Sequence, residues 1–78
     1  MIKTEQEALD YLNFLIDNLE EQKKFVSKKE FMDLNFYQRN LVMMSNSIKH
    51  SDSFFNSFFK DKTEKEVKQW IEEEAKSW

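Results

Sequence analysis

Between residues 5 and 25 the apolar positions fall at Ala8, Leu12, Leu15, Ile16 and Leu19, with Asp10, Asn13, Asp17 and Glu20 set between them. Steps of three and four residues place the first set on one face of an α-helix and the second on the other. Tyr11 and Phe14 widen the apolar face, so this helix is expected to meet two neighbours or a second subunit. A second periodic stretch, Phe36, Tyr37, Leu41, Val42, Met44 and Ile48, predicts a helix opening after Asn35. A third, Val67, Trp70, Ile71, Ala75 and Trp78, with Glu74 among them, predicts a helix from about Glu64 to Ser77.

Helix starts are read from a polar residue followed three positions later by Glu or Gln. The first side chain accepts from a free amide of the opening turn while the second reaches back to the cap's own amide. Four segments fit: Thr4 to Glu7, Ser27 to Glu30, Asn35 to Gln38 and Thr63 to Glu66. The Ser27 match predicts a short connecting helix to about Asp33, separate from the one that follows Asn35. After Ile48 the pattern leaves two options: the helix runs on through Phe54-Phe55-Asn56-Ser57-Phe58-Phe59, or it breaks near Asp52 as a new cap. Lys60-Asp61-Lys62 reads as a loop. The expected fold is all-α, one domain over residues 1–78, with three longer helices and a short connecting one.

Composition sharpens this picture. The chain has no glycine and no proline, which removes the usual hairpin turns and strand punctuation. It has no cysteine, so neither a disulfide nor a thiolate metal site can add stability. A chain of 78 residues gains from burial about what it loses to ordering, so a homo-oligomer or another partner is expected to supply the difference. Aromatic residues make up 15%, eight of them Phe, which argues for a folded chain. No basic segment leads into an apolar run at the start and no eighteen apolar residues occur together, so a cytoplasmic location without membrane contact is expected.

The chemistry on offer is sparse: one histidine, no glycine-rich phosphate loop and no pair of carboxylates in an apolar setting. No catalytic residue, metal or cofactor is expected, and His50, between Lys49 and Ser51, reads as a surface imidazole. Glu72, Glu73 and Glu74 point about 100° apart on a helix and cannot converge on a cation. The net charge of -3 has the wrong sign for a general nucleic-acid binder. If the short helix and the one after it are read as a helix-turn-helix, the recognition helix opens Asn35-Phe36-Tyr37-Gln38-Arg39-Asn40 with a single cation, so direct nucleic-acid binding is not expected.

Two groups remain. Phe54, Phe55, Phe58 and Phe59 span well over 100° of helix and, with Trp70 and Trp78, exceed what so small a bundle readily hides. They are candidate protein-binding anchors, the competing reading being that the four Phe simply close the single core, and Glu72, Glu73 and Glu74 would steer a basic partner toward them. Lys23, Lys24, Lys28 and Lys29 form a positive cluster that, with Arg39 and a stacking ring at Tyr37, is a candidate site for an anion such as a cyclic nucleotide.

Residues 25 to 44 run Phe-Val-Ser-Lys-Lys-Glu-Phe-Met-Asp-Leu-Asn-Phe-Tyr-Gln-Arg-Asn-Leu-Val-Met-Met. Phe25-Val26, Phe31, Leu34 and Leu41-Val42 there resemble a pattern of small helical phage proteins, in which an amphipathic helix is followed by a Phe-x-x-Leu step and a polar-capped helix. The resemblance implies an accessory protein of a virus or mobile element, acting in a bacterial host cell. The leading expectation is therefore a non-enzymatic inhibitor that binds a host protein such as a defence component. A sponge for a cyclic-nucleotide signal and an oligomer without external ligand are the alternatives.

Overall fold

The computed structural model describes residues 1–78 and contains four α-helices and no strand. Helix α1 spans Glu5–Gln22, α2 Lys28–His50, α3 Asp52–Phe58 and α4 Glu64–Ala75, and a turn of 3₁₀ helix, Lys23–Phe25, joins α1 to α2. Thr4, Ser27 and Thr63 cap α1, α2 and α4, each accepting from the amide three residues on. At Thr63 the box closes in both directions, with Glu66 returning a bond to the Thr63 amide at 3.0 Å. The all-α expectation holds, with three long helices and one short.

The short helix is not where the capping pattern put it. Residues 28 to 50 form one helix without a break, and Asn35 lies inside it. Asn35 turns its side-chain oxygen to Lys23 at 3.1 Å, and Gln38, the residue that completed the apparent box, is buried and bonded to α1. At about 1.5 Å per residue α2 runs some 34 Å, nearly the 37 Å length of the molecule. The break comes at Ser51, whose hydroxyl accepts from the Phe54 amide at 3.3 Å and starts α3; Asp52 is the first residue of that helix.

Five residues separate α1 from α2, enough for an antiparallel pair and little more. The core between them and α4 is Ala8, Tyr11, Leu12, Leu41, Ile48, Val67 and Ile71. Phe55 and Phe59 of the α3 segment close one end of it, and Ile2 the same assembly from the chain's start. Ile2 is held by two backbone bonds, its amide donating to the Lys62 carbonyl and its carbonyl accepting from the Asp61 amide, both at 2.8 Å. A Lys3 to Asp61 ion pair at 2.7 Å lies beside them. Asp61 takes a left-handed conformation, φ 62°, in the loop expected at Lys60 to Lys62. Ser45 is the odd member of the interior: its hydroxyl is the one buried side-chain oxygen or nitrogen without a hydrogen-bond partner.

Candidate interaction surface

The four phenylalanines of the α3 segment divide by spacing. Phe55 and Phe59 are 5% and 0% exposed, so the structure corrects the reading of all four as surface anchors: these two belong to the core. Both join the core cluster with Leu12, Leu41, Ile48, Val67 and Ile71, and α4 also brings Trp70 against the segment. Phe58 stacks on Trp70 with ring centroids 4.7 Å apart, and Phe59 meets the same indole edge-on at 5.8 Å. Phe54 is half-buried between Phe58, at 5.2 Å, and Trp70, at 6.3 Å. Only Phe58 keeps a substantial part of its surface, 38%, in water.

Trp78 folds back to Tyr37 of α2 with centroids 5.2 Å apart. Between α2, α3 and α4 this leaves an open groove of about 290 Å³, whose apolar lining is Met43, Met44, Phe54, Phe58, Trp70 and Trp78. Glu74 stands at its rim with Asn40 and Ser47. The other two acids of the run point elsewhere, as the 100° step requires: Glu73 pairs with Lys76 at 3.2 Å, and Glu72 borders Lys65 and Lys68.

A further set of exposed apolar side chains lies on α2 itself. Successive steps of 100° put Leu34, Gln38, Leu41, Ser45 and Ile48 toward the core and Met32, Phe36 and Met43 directly opposite. These three are 64%, 53% and 64% exposed. Phe25, in the 3₁₀ turn, is exposed by 85% at the end of the molecule where Lys24, Lys28 and Lys29 also reach water. Splitting α2 at Asn35 hid this stripe from the sequence reading. The i, i+4, i+11 spacing of Met32, Phe36 and Met43, on the far side from Leu34, Leu41 and Ile48, was the signal that would have found it.

The cationic group is dispersed. The Lys23 side chain is 8% exposed and its ammonium is already occupied: it donates to Gln38 Oε1 at 2.7 Å and Asn35 Oδ1 at 3.1 Å and pairs with Glu20 at 2.9 Å. It also lies 5.1 Å from the centre of the Phe31 ring. Gln38 completes the network by donating to Glu20 at 2.9 Å and the Ile16 carbonyl at 3.2 Å. These bonds to Lys23 and Gln38 hold the Glu20 carboxyl below the usual range. Lys24 pairs with Glu21 at 3.1 Å. Tyr37 lies about 180° around α2 from Lys28, half-buried against Trp78, with burial as the main cause that pushes its phenol up. The structure therefore does not gather Lys23, Lys24, Lys28, Lys29, Tyr37 and Arg39 into one anion site.

A separate depression of about 800 Å³ lies between the start of α1 and the start of α4, with Met1, Tyr11 and Phe14 beside Glu7, Asp10 and Glu64. Nearby, Glu5 has its carboxyl raised, first by a hydrogen bond to Asp52 and then by burial and that residue's charge. No group of three or more His, Cys, Asp or Glu side chains is arranged to hold a metal ion. No helix is long and apolar enough to cross a membrane. No family model, curated protein or solved structure matches this chain.

Proposed function

We propose that this chain acts by binding another protein and obstructing it, without chemistry of its own, and that the groove between α2, α3 and α4 is the contact site. The observation that carries the reading is the groove's composition: two methionines, two phenylalanines and two tryptophans around an opening with a single carboxylate, Glu74, at the rim. Met43 and Met44 adapt to a partner's shape, while Phe58 and Trp70 present a pre-stacked pair that loses little freedom on binding. Aromatic anchors of this kind dominate interface energetics. The resemblance of residues 25 to 44 to small phage proteins supports a bacterial host protein, such as a defence component, as the target. A cyclic-nucleotide sponge has less support, because Lys23 is engaged inside the fold and Tyr37 faces away from Lys28.

A photo-reactive residue placed at Phe58 or at Glu74 on the rim tests the reading in bacterial cells. Both positions are expected to label one and the same protein, and a photo-reactive residue at the exposed Asp17 of α1 is expected to leave that protein unlabelled. Met43→Asp, made at a groove position that is 64% exposed, is expected to abolish the labelling from Phe58 while the helical signal and melting curve stay close to those of the parent. Labelling from Asp17 and not from Phe58 would move the contact to α1 and sink the proposal.

A further inference from the structure

The outer stripe of α2 is a surface distinct from the groove, although Met43 borders both. Met32, Phe36 and Met43 form its apolar spine. With about 200 Å² for a fully exposed side chain of this size, their exposed fractions leave roughly 360 Å² of apolar surface on this side. At the ~57% apolar share common to interfaces, that corresponds to about 640 Å² in all, within the ~600–1,000 Å² each partner contributes to a specific stable complex. The long axis is also polar. Lys24, Lys28 and Lys29 reach water at the end where α2 begins, whereas the end where it stops sets Glu5 and Asp52, which lie together, beside Lys49 and His50 of the last turn.

We infer that a second copy of this chain occupies the stripe, the two α2 helices packing antiparallel about a two-fold axis near Asn40. A surface that meets its own image must be self-complementary, and the antiparallel arrangement satisfies that on both counts. Residues whose numbers sum to about 79 or 80 face each other, so Phe36 of each copy meets the Met43 region of the other, and Met32 meets Ser47. The basic end of each copy lies over the Glu5 and Asp52 end of its mate. A parallel pairing would instead set the Lys28 and Lys29 clusters against one another. The antiparallel pairing brings like charges together at two places, between the two Arg39 side chains and between Lys29 and the Lys49–His50 turn of the mate, and the arginines and lysines are long enough to turn their heads to water.

The inference goes beyond the host-binding reading and does not need it, but it bears on the same groove. The α2 wall of the groove is Asn40, Met43, Met44 and Ser47. In the antiparallel register the residues across from Met43 and Ser47 are Phe36 and Met32 of the other copy. The second copy therefore adds an apolar shoulder along one side of the opening, and the dimer carries two such grooves related by the two-fold axis.

A chain without cysteine allows a direct test of register. Sedimentation of the parent across a concentration series is expected to show twice the 9.6 kDa chain mass. Oxidising the single-cysteine variants should link Asn40→Cys to itself and leave Met32→Cys and Ser47→Cys unlinked, while a mixture of those two links one to the other. Phe36→Asp is expected to give a monomer whose helical signal matches the parent's. A parent that stays monomeric at hundreds of micromolar would overturn the inference. So would a dimer that survives Phe36→Asp, or self-linking at 32 and 47 as efficient as at 40. A monomeric parent that still labels a host protein from Phe58 would reject the dimer and leave the proposed function standing. A dimer that labels nothing would do the reverse.

Discussion

Phe59→Ala separates a core aromatic from a surface one most sharply. The Phe59 side chain is fully buried, lies 5.8 Å from Trp70 and 5.8 Å from Phe54, and its amide continues the α3 ladder to the Phe55 carbonyl at 2.9 Å. Truncating a fully buried phenylalanine costs about 3–5 kcal/mol, the lost transfer energy plus the hole left behind. A domain of this length holds roughly 4–12 kcal/mol in total at 0.05–0.15 kcal/mol per residue. Each kcal/mol moves the melting temperature of so small a domain by about 4–8 °C. The variant is therefore expected to melt at least about 12 °C below the parent and, at the upper end of the cost, to be largely unfolded at room temperature. Phe14→Ala is the matched control: its ring is exposed by 57% and stacks on Tyr11 at 6.4 Å, and the change should cost less than about 1 kcal/mol. Thermal melts followed by circular dichroism, with urea titrations to confirm an unchanged slope, measure both. If Phe59→Ala melts within a few degrees of Phe14→Ala, the assignment of Phe59 to the core is wrong and with it the division of the four phenylalanines.

Lys23→Ala strips the partner from Asn35, Gln38 and Glu20, and should cost about 1–3 kcal/mol in urea unfolding; pairing it with Gln38→Ala should cost less than the sum of the two, because both act on one network. Ser45→Ala removes a buried hydroxyl that bonds nothing and is expected to raise stability by up to about 1 kcal/mol, a melting-curve shift upward where most core changes shift it down. Asp61→Gly should be neutral or stabilising, since glycine tolerates φ 62° and the exposed Lys3 pair contributes little, whereas Asp61→Val should cost about 1–2 kcal/mol by the same melt. In carboxyl NMR titrations Glu66 and Glu20 should titrate below ordinary glutamates and Glu5 above them. The stabilising effect of the first two is present above the unfolded-state value and disappears as pH falls through the folded one. Glu5 has the opposite sign, its contribution being full in acid and lost as pH rises, and Asp52→Asn should return it to the ordinary range.

Local rules were legible where the local partners exist. Thr4, Ser27 and Thr63 start helices because the amide each one satisfies lies three residues on, and sequence spacing shows that directly. Asn35 carries the same spacing, yet its oxygen is taken by Lys23, twelve residues away, and Gln38 is taken by α1; a tertiary network overrides a short pattern. Ser51 escaped notice for the converse reason: its third neighbour is Phe54, which cannot complete a box, although the cap itself forms. The same limit applies to the aromatic segment. Spacing alone pairs Phe54 with Phe58 and Phe55 with Phe59, but which pair turns inward is decided by the core that α1, α2 and α4 build together, which Phe55 and Phe59 join.

The bonds that tie Ile2 to Asp61 and Lys62 give this chain a built-in gauge. Terminal amides ordinarily exchange with solvent by local fraying, independently of everything else. Here the second residue is sealed into the interior by partners about sixty positions downstream, so its hydrogen can leave only when the seam between the first helix and the last loop parts. Deuterium uptake at that single amide should thus keep pace with the slowest protons of α1 and α4, reporting the opening of the entire assembly from its outermost edge.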